Sequence, residues 1–266
     1  MKSHIEFSVI HWKNNSRCDE TLKLIGEAPL EIYIQGKLHA IGLRTPGDEI
    51  EQAAGYCMAE GIVDTLDDFS SLAFCGETDK NKVMVTVTSS REQKISHLLE
   101  KKGFISQGVL NRGGKDKQKF SRQNLYPFTE DTVIDIKKGL SFLQSLPDIQ
   151  PLRHKTSASH AAAIYGPDFE LLSCAEDVGR HNALDKAIGK LLLERRLQAA
   201  SLLILSSRIS FELVQKAASA RIPAILAISR PTAMAVNLAL QLNMTLACLA
   251  KGSGLYIFCG DDRFKR

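Results

Sequence analysis

Apolar and polar residues alternate through "EIYIQGKLHAIGL" (31–43), two runs about Gly36-Lys37 that predict a β-hairpin. The period then changes. In "TPGDEIEQAAGYCMAEG", Ile50, Ala53, Ala54, Cys57 and Met58 recur at i, i+3, i+4, i+7 and i+8, which predicts a helix. Thr45 suits its N-cap, Pro46 its first position, Asp48 and Glu49 its positive end, and Gly61 its stop. "KVMVTVTS" reads as a strand and "SREQKISHLLEKKG" as a helix. From Thr129, Val133, Ile136, Leu140 and Leu143 share one helical face ended by Pro147, and "AAAIYGPDFELLSC" reads as a hairpin across Gly166-Pro167-Asp168.

The clearest pattern comes last. "AASLLILSS", "PAILAIS", "MTLACLA" and "GLYIFCG" are continuous apolar runs of strand length. "FELVQKAASARI" and "PTAMAVNLALQLN" lie between the first three with helical period. Strand, helix, strand, helix, strand predicts a parallel α/β unit with right-handed crossovers. The expected organisation is a small α+β domain over 1–128 and an α/β domain over 129–266.

Composition changes this picture little. Forty-four per cent hydrophobic and 24% charged residues are those of a globular chain. The net charge of +4 is uneven, because seven Lys or Arg between Lys101 and Asn124 face the single Asp116. Such a run is most simply a solvated loop, and no nucleic-acid partner is expected. "LNRGGKDKQK" within it fails the phosphate-loop pattern: with Lys115 as its lysine, Val109 and Asp116 stand where glycine and Ser/Thr are needed. No segment has a signal-peptide or membrane-span pattern. The six cysteines form no C-x-x-C pair, so a reducing cytoplasm is expected and a zinc site is not.

Ligands of open α/β sheets bind beyond the carboxyl ends of the strands. Those ends read Ser206-Ser207-Arg208, Ser229-Arg230-Pro231-Thr232 and Lys251-Gly252-Ser253-Gly254, each with a cation and a hydroxyl. Two lead into helix N-termini, whose free N–H groups favour anions. A Ser or Thr there is also an ordinary cap, but three such ends on one edge point to a phosphate or nucleotide. In "CAEDVGRHNALDK" (174–186), Asp177 suits a helix cap. Ala183, Ala187, Ile188, Leu191 and Leu192 form its apolar face, and Arg180 and Lys186 could hold anions. His181 and Asp185 lie at i, i+4, which predicts a carboxylate fixing the imidazole. His160 sits among small residues in "TSASHAAA"; it lacks the H-x-E and C-x-x-C of a zinc deaminase.

At "EDVGRHNALDK" the chain resembles the formate dehydrogenase accessory protein family, FdhD/NarQ. The likeness extends through "TPGDEIEQAAGYCMAEGIV", "SHAAAIY", "LILSSRISFELVQKAA", "IPAILAISRPTAMAVNLA" and "NMTLACLAKGSG". It implies a C-terminal domain of cytidine-deaminase-like, three-layer α/β fold without zinc, and a homodimer. It also implies a sulfurtransferase that takes persulfide sulfur from a cysteine desulfurase. The sulfur passes to the molybdenum cofactor, bis-molybdopterin guanine dinucleotide, before insertion into formate dehydrogenase. GDP is the expected analogue of that cargo. Contact with it is expected at Leu249, Ala250, Lys251, Gly252, Ser253 and Gly254, with Ser207, Arg208, Ser229, Thr232, His160, Asp177, Arg180 and His181 completing the site.

The family's C-G-x-C-G type motif on its interdomain loop is missing; "VLNRGGKDKQ" stands there. A persulfide needs a thiolate, so no catalytic residue is assigned. Cys174, then Cys248, are the remaining candidates, although buried inert thiols are the commoner outcome in such apolar runs. A cofactor-binding chaperone without sulfur chemistry is the alternative, and a nucleotide-dependent hydrolase ranks below both.

Overall fold

Asn14 and Asn15 both take positive φ (48° and 65°), the two-residue turn geometry that matches strand twist. They join β1 (His4–Lys13) to β2 (Ser16–Ile25) in a long antiparallel arm. This computed structural model describes residues 2–76, 79–99, 105–106, 125–129 and 132–265. The basic run and "VLNRGGKDKQ" lie outside the described residues. The arm has no counterpart in the expectations above.

Next come β3 (Ala28–Ile34) and β4 (Lys37–Arg44), the predicted hairpin. Its turn is Gln35-Gly36 (φ 49° and 73°), one residue earlier than expected. Helix α1 (Glu49–Ala59) follows, with Asp48 at its N-cap rather than Thr45. Its stripe Ala53, Ala54, Cys57 and Met58 is buried as the periodicity requires, and Gly61 ends it in left-handed geometry. With β5 (Phe69–Phe74), β6 (Lys82–Val87), α2 (Ser89–Leu99) and β7 (Ile105–Ser106), these strands make a sheet ordered β5-β6-β3-β4-β7.

The second half starts with β8 (Ile134–Asp135) and α3 (Ile136–Ser145), which Asp135 caps through Lys138 N–H. Val133 precedes the helix and is exposed, because capping by Asp135 sets a later start than the periodicity suggested. The remaining elements are α4 (Pro151–Thr156), β9 (His160–Tyr165), β10 (Leu171–Asp177), α5 (Arg180–Leu193), β11 (Leu202–Leu205), α6 (Phe211–Ser219), β12 (Ala224–Ala227), α7 (Ala233–Gln241), β13 (Thr245–Leu249), β14 (Leu255–Cys259) and β15 (Phe264–Lys265). Six of the strands form a mixed sheet ordered β10-β9-β11-β12-β13-β14, with β11, β12 and β13 parallel.

The central strands β11, β12 and β13 of this sheet are buried on both faces, which is why they read as unbroken apolar runs, whereas Tyr256, Ile257 and Phe258 of the edge strand β14 stay exposed. Leu203, Leu205, Ile225 and Leu246 join one cluster with α1, α5 and α6. Leu202, Ile204, Leu226 and Ala247 face Leu143 of α3. The chain is thus a mixed α/β fold with helices on either side of the large sheet. The first cluster also takes in Leu30, Ile32, Val83 and Val85, so one core joins both halves.

Candidate functional site

Strand direction gathers the predicted residues. β11, β12 and β13 end at one edge. The antiparallel pairing of β9 with β11 and β10 brings His160, the first residue of β9, and Asp177, the last of β10, to the same edge. Helices α5, α6 and α7 begin there, after β10, β11 and β12. The first turn of a helix has N–H groups without intrahelical partners and carries the positive end of its dipole.

His160 sits between cations on three elements. Burial first, then Arg180 of α5, Arg153 of α4, His181 and Arg208, lower its pKa from the ordinary histidine value. The guanidinium of Arg180 has a buried Nε with no hydrogen-bond partner. His181 Nε2 lies 3.0 Å from Glu212 Oε2 and 3.4 Å from Ser210 Oγ. That bond to His181 is the main cause of a lowered Glu212 pKa. Asp185, one turn after His181, is fully buried and receives Lys216 Nζ at 2.7 Å, with His181 near enough to favour its charged form as well.

Past Leu249, the last residue of β13, Ala250 to Gly254 make an open loop. Gly252 and Gly254 have φ of 96° and 84°, values costly for any side chain, and the Ala250 N–H donates to the Gly254 carbonyl at 2.9 Å. Lys251 and Ser253 are exposed. Thr232 caps α7, its Oγ1 accepting from Ala235 N–H. Ser207 is buried and donates to the Arg208 carbonyl; Ser206 accepts from Ala161 N–H. Arg208 and Ser229 remain open to solvent, wholly and in part.

Asp177 does something different. It is fully buried, and its carboxylate accepts from Thr45 N–H (3.0 Å), Gly179 N–H (2.8 Å), Asn182 Nδ2 (2.9 Å) and Lys186 Nζ (2.7 Å). Lys186 also donates to the Thr45 carbonyl, Asn182 to that of Leu43, and Val178 N–H to Thr45 Oγ1. One motif therefore splits by role: Asp177, Asn182 and Lys186 clamp the Leu43–Thr45 segment, while Arg180 and His181 face the edge. Arg153 and Glu212 were not singled out from sequence. Their only signal is proximity to His160 and His181, which the fold creates.

A family model described as the FdhD/NarQ family matches residues 25–265. The chain belongs to the FdhD/NarQ family. It is 35% identical over 254 residues to the Sulfur carrier protein FdhD of Streptomyces coelicolor, covering 90% of this chain and 88% of that one. With the Sulfur carrier protein FdhD of Sulfurisphaera tokodaii it shares 32% identity, covering 94% and 95%. A crystal structure from Desulfotalea psychrophila, described as a formate dehydrogenase accessory protein, has the same fold. It superposes with a TM-score of 0.76 at 19% identity, over 98% of this chain and 99% of that one. Among the described residues no helix is long and apolar enough to cross a membrane.

The two candidate cysteines of this FdhD/NarQ chain take the commoner outcome for thiols in apolar runs. Cys174 is partly buried against Ile149, between α3 and α4, and burial pushes its pKa up to about 11; Cys248 is buried in β13 and also raised by burial. Neither offers an accessible thiolate near neutral pH. Cys57 and Cys259 are buried too, which leaves Cys18 and Cys75 as the exposed thiols among the six.

Proposed function

We propose that this FdhD/NarQ chain matures formate dehydrogenase by holding the guanine-nucleotide end of a bis-molybdopterin guanine dinucleotide cargo at the strand-end edge. The observation that carries the reading is convergence: three helix N-termini with Arg153, Arg180, Arg208 and His160 at one edge, beside the open Ala250–Gly254 loop. A diphosphate satisfies free N–H groups and guanidinium donors together. The names of the similar proteins, sulfur carrier and formate dehydrogenase accessory, support placing this binding in a sulfur-delivery step. On that reading a cysteine desulfurase supplies the sulfur and a homodimer is the working form.

Calorimetric titration tests it. GDP is expected to bind more tightly than ADP, and Arg180→Ala to weaken GDP by about tenfold, the worth of one charge-assisted hydrogen bond. Equal affinity for GDP and ADP would sink the reading. Restoration of formate dehydrogenase activity in a strain lacking its own family member separates maturation from simple nucleotide binding.

A pH effect follows from His160. Its pKa is lowered, so between that value and the ordinary ~6.5 the unfolded chain binds a proton that the folded chain refuses. Stability therefore falls as pH drops through that window. A bound diphosphate offsets the three surrounding guanidinium groups and raises the His160 pKa, so GDP affinity rises as pH falls through the same range. Histidine NMR titration with and without GDP checks this, and an unmoved His160 midpoint would count against the placement. A chaperone that carries no sulfur is the second reading, favoured by the burial of three of the six thiols and the partial burial of a fourth.

A further inference from the structure

The N-terminal arm carries a reactive-thiol arrangement that its register builds. β1 and β2 pair His11 with Cys18 and Val9 with Glu20, so the three polar side chains share one face near the Asn14-Asn15 turn. A His11 ring nitrogen, Cys18 Sγ and a Glu20 carboxylate oxygen lie within 4.8 Å of one another. His11 Nδ1 is 2.7 Å from Glu20 Oε1. A carboxylate only accepts, so in neutral His11 the proton sits on Nδ1 and the Nε2 lone pair is left to take another. Nucleophile, base and base-orienting carboxylate are the parts of an activated thiol.

The same face continues toward the arm's base as an apolar stripe. Ile5 pairs with Leu24 and Phe7 with Leu22, and all four are exposed, at 52, 41, 49 and 47%. Exposed contiguous apolar surface beside a thiol fits a protein rather than a small molecule. Ile10 and Trp12 lie on the opposite face. The arm is also tied to the cationic edge, because α4, which brings Arg153 to His160, packs against β2.

We propose that Cys18 is the sulfur-accepting thiol of this chain, served by His11 and Glu20, and that the apolar stripe seats a protein persulfide donor. This rests on the sulfur-carrier reading above. The Cys18 thiol, which rests as a donor to the His11 carbonyl at 3.4 Å, turns to give its proton to the His11 ring, and its sulfur attacks the outer sulfur of the donor persulfide. A Cys18–sulfur bond forms, the donor sulfur–sulfur bond breaks, and the donor leaves as a thiolate that recovers the proton from His11. Cys18 then holds a persulfide, with no net oxidation.

The test incubates the full chain with a cysteine desulfurase charged with L-cysteine, then maps persulfides by alkylation and mass spectrometry. The expected result is label on Cys18, abolished by Cys18→Ser with the melting curve unchanged, since the side chain is exposed. His11→Ala is expected to slow transfer on the order of a hundredfold and to change its pH profile, while GDP affinity stays as in the parent. Label that survives Cys18→Ser on Cys75 or elsewhere overturns the Cys18 assignment but leaves sulfur carriage standing. No label on any cysteine overturns both, and GDP binding in the same preparation then isolates the chaperone reading. Stoichiometric zinc in the purified protein, lost in Cys18→Ser, would make the triad a metal site and also overturn the proposal.

Discussion

Replacing Asp177 by Asn is expected to destabilise the protein by about 3–5 kcal/mol, nearly as much as replacing it by Ala. The near-equivalence is the informative part. Four donors converge on the carboxylate: two backbone N–H groups, the Asn182 amide and the Lys186 ammonium. Asparagine keeps one acceptor oxygen and sets an NH₂ group against donors, and the buried Lys186 charge loses its counter-ion. For a chain of this size the melting temperature should fall by roughly 10 °C. Nucleotide binding should weaken with it, because the same segment sets the start of α5, where Arg180 and His181 stand. Adding Lys186→Met to Asp177→Asn removes the stranded charge and should recover part of the loss, which a double-mutant cycle reads directly. Thermal unfolding of Asp177→Asn within about 2 °C of the parent would show that the clamp does not hold the halves together.

How far the sequence disclosed this arrangement depended on the range of the interactions. Strands β11 to β13 and helices α6 and α7 were legible because burial on both faces of the sheet imposes apolar runs, bounded by Ser, Arg and Pro where the chain meets solvent. The edge that collects His160, Arg180, Arg208 and the Ala250–Gly254 loop followed from strand direction alone. What local pattern could not disclose was partnership. Thr45 looked like a helix cap, yet its N–H, carbonyl and hydroxyl are all taken by a segment more than 130 residues away. His181 has a carboxylate one turn ahead, yet the carboxylate 3.0 Å from its ring is Glu212 of another helix, while Asp185 takes Lys216 from that same helix. The N-terminal arm had a visible signal, alternating residues around Asn-Asn, but alternation ordinarily marks a strand with one buried face and here the apolar side chains stay exposed. Cys18 drew no attention for the same reason: nothing in sequence spacing shows that His11 stands opposite it.

The other large effect concerns the contact between α1 and α5, where two helix backbones touch. A Cβ added to Gly55 would overlap the carbonyl oxygen of Asp185, and one added to Gly189 would overlap that of Glu51. Gly55 and Glu51 are one turn apart on α1, as Gly189 and Asp185 are on α5, so each glycine admits the other helix's backbone. Alanine raises helix propensity by about 1 kcal/mol over glycine. The obstacle, however, is main chain on both sides and cannot rotate away, so overpacking near or above the usual limit of about 3 kcal/mol should dominate. Gly55→Ala and Gly189→Ala are each expected to lower the melting temperature by several degrees, roughly 5–10 °C. The double variant should cost less than the two losses added, because the first substitution already pushes the helices apart. Gly139→Ala in α3 is the control: there the new methyl meets the end of the Leu226 side chain, which can shift. A stabilised Gly55→Ala, or a Gly139→Ala as damaging as either, would mean that helix propensity and not backbone contact governs these positions. The consequence reaches the candidate site, since α5 starts at Arg180 with its N-terminus at the cationic edge. Helices held at backbone contact fix that N-terminus against both halves of the molecule, and GDP affinity should therefore fall in Gly55→Ala and Gly189→Ala but not in Gly139→Ala.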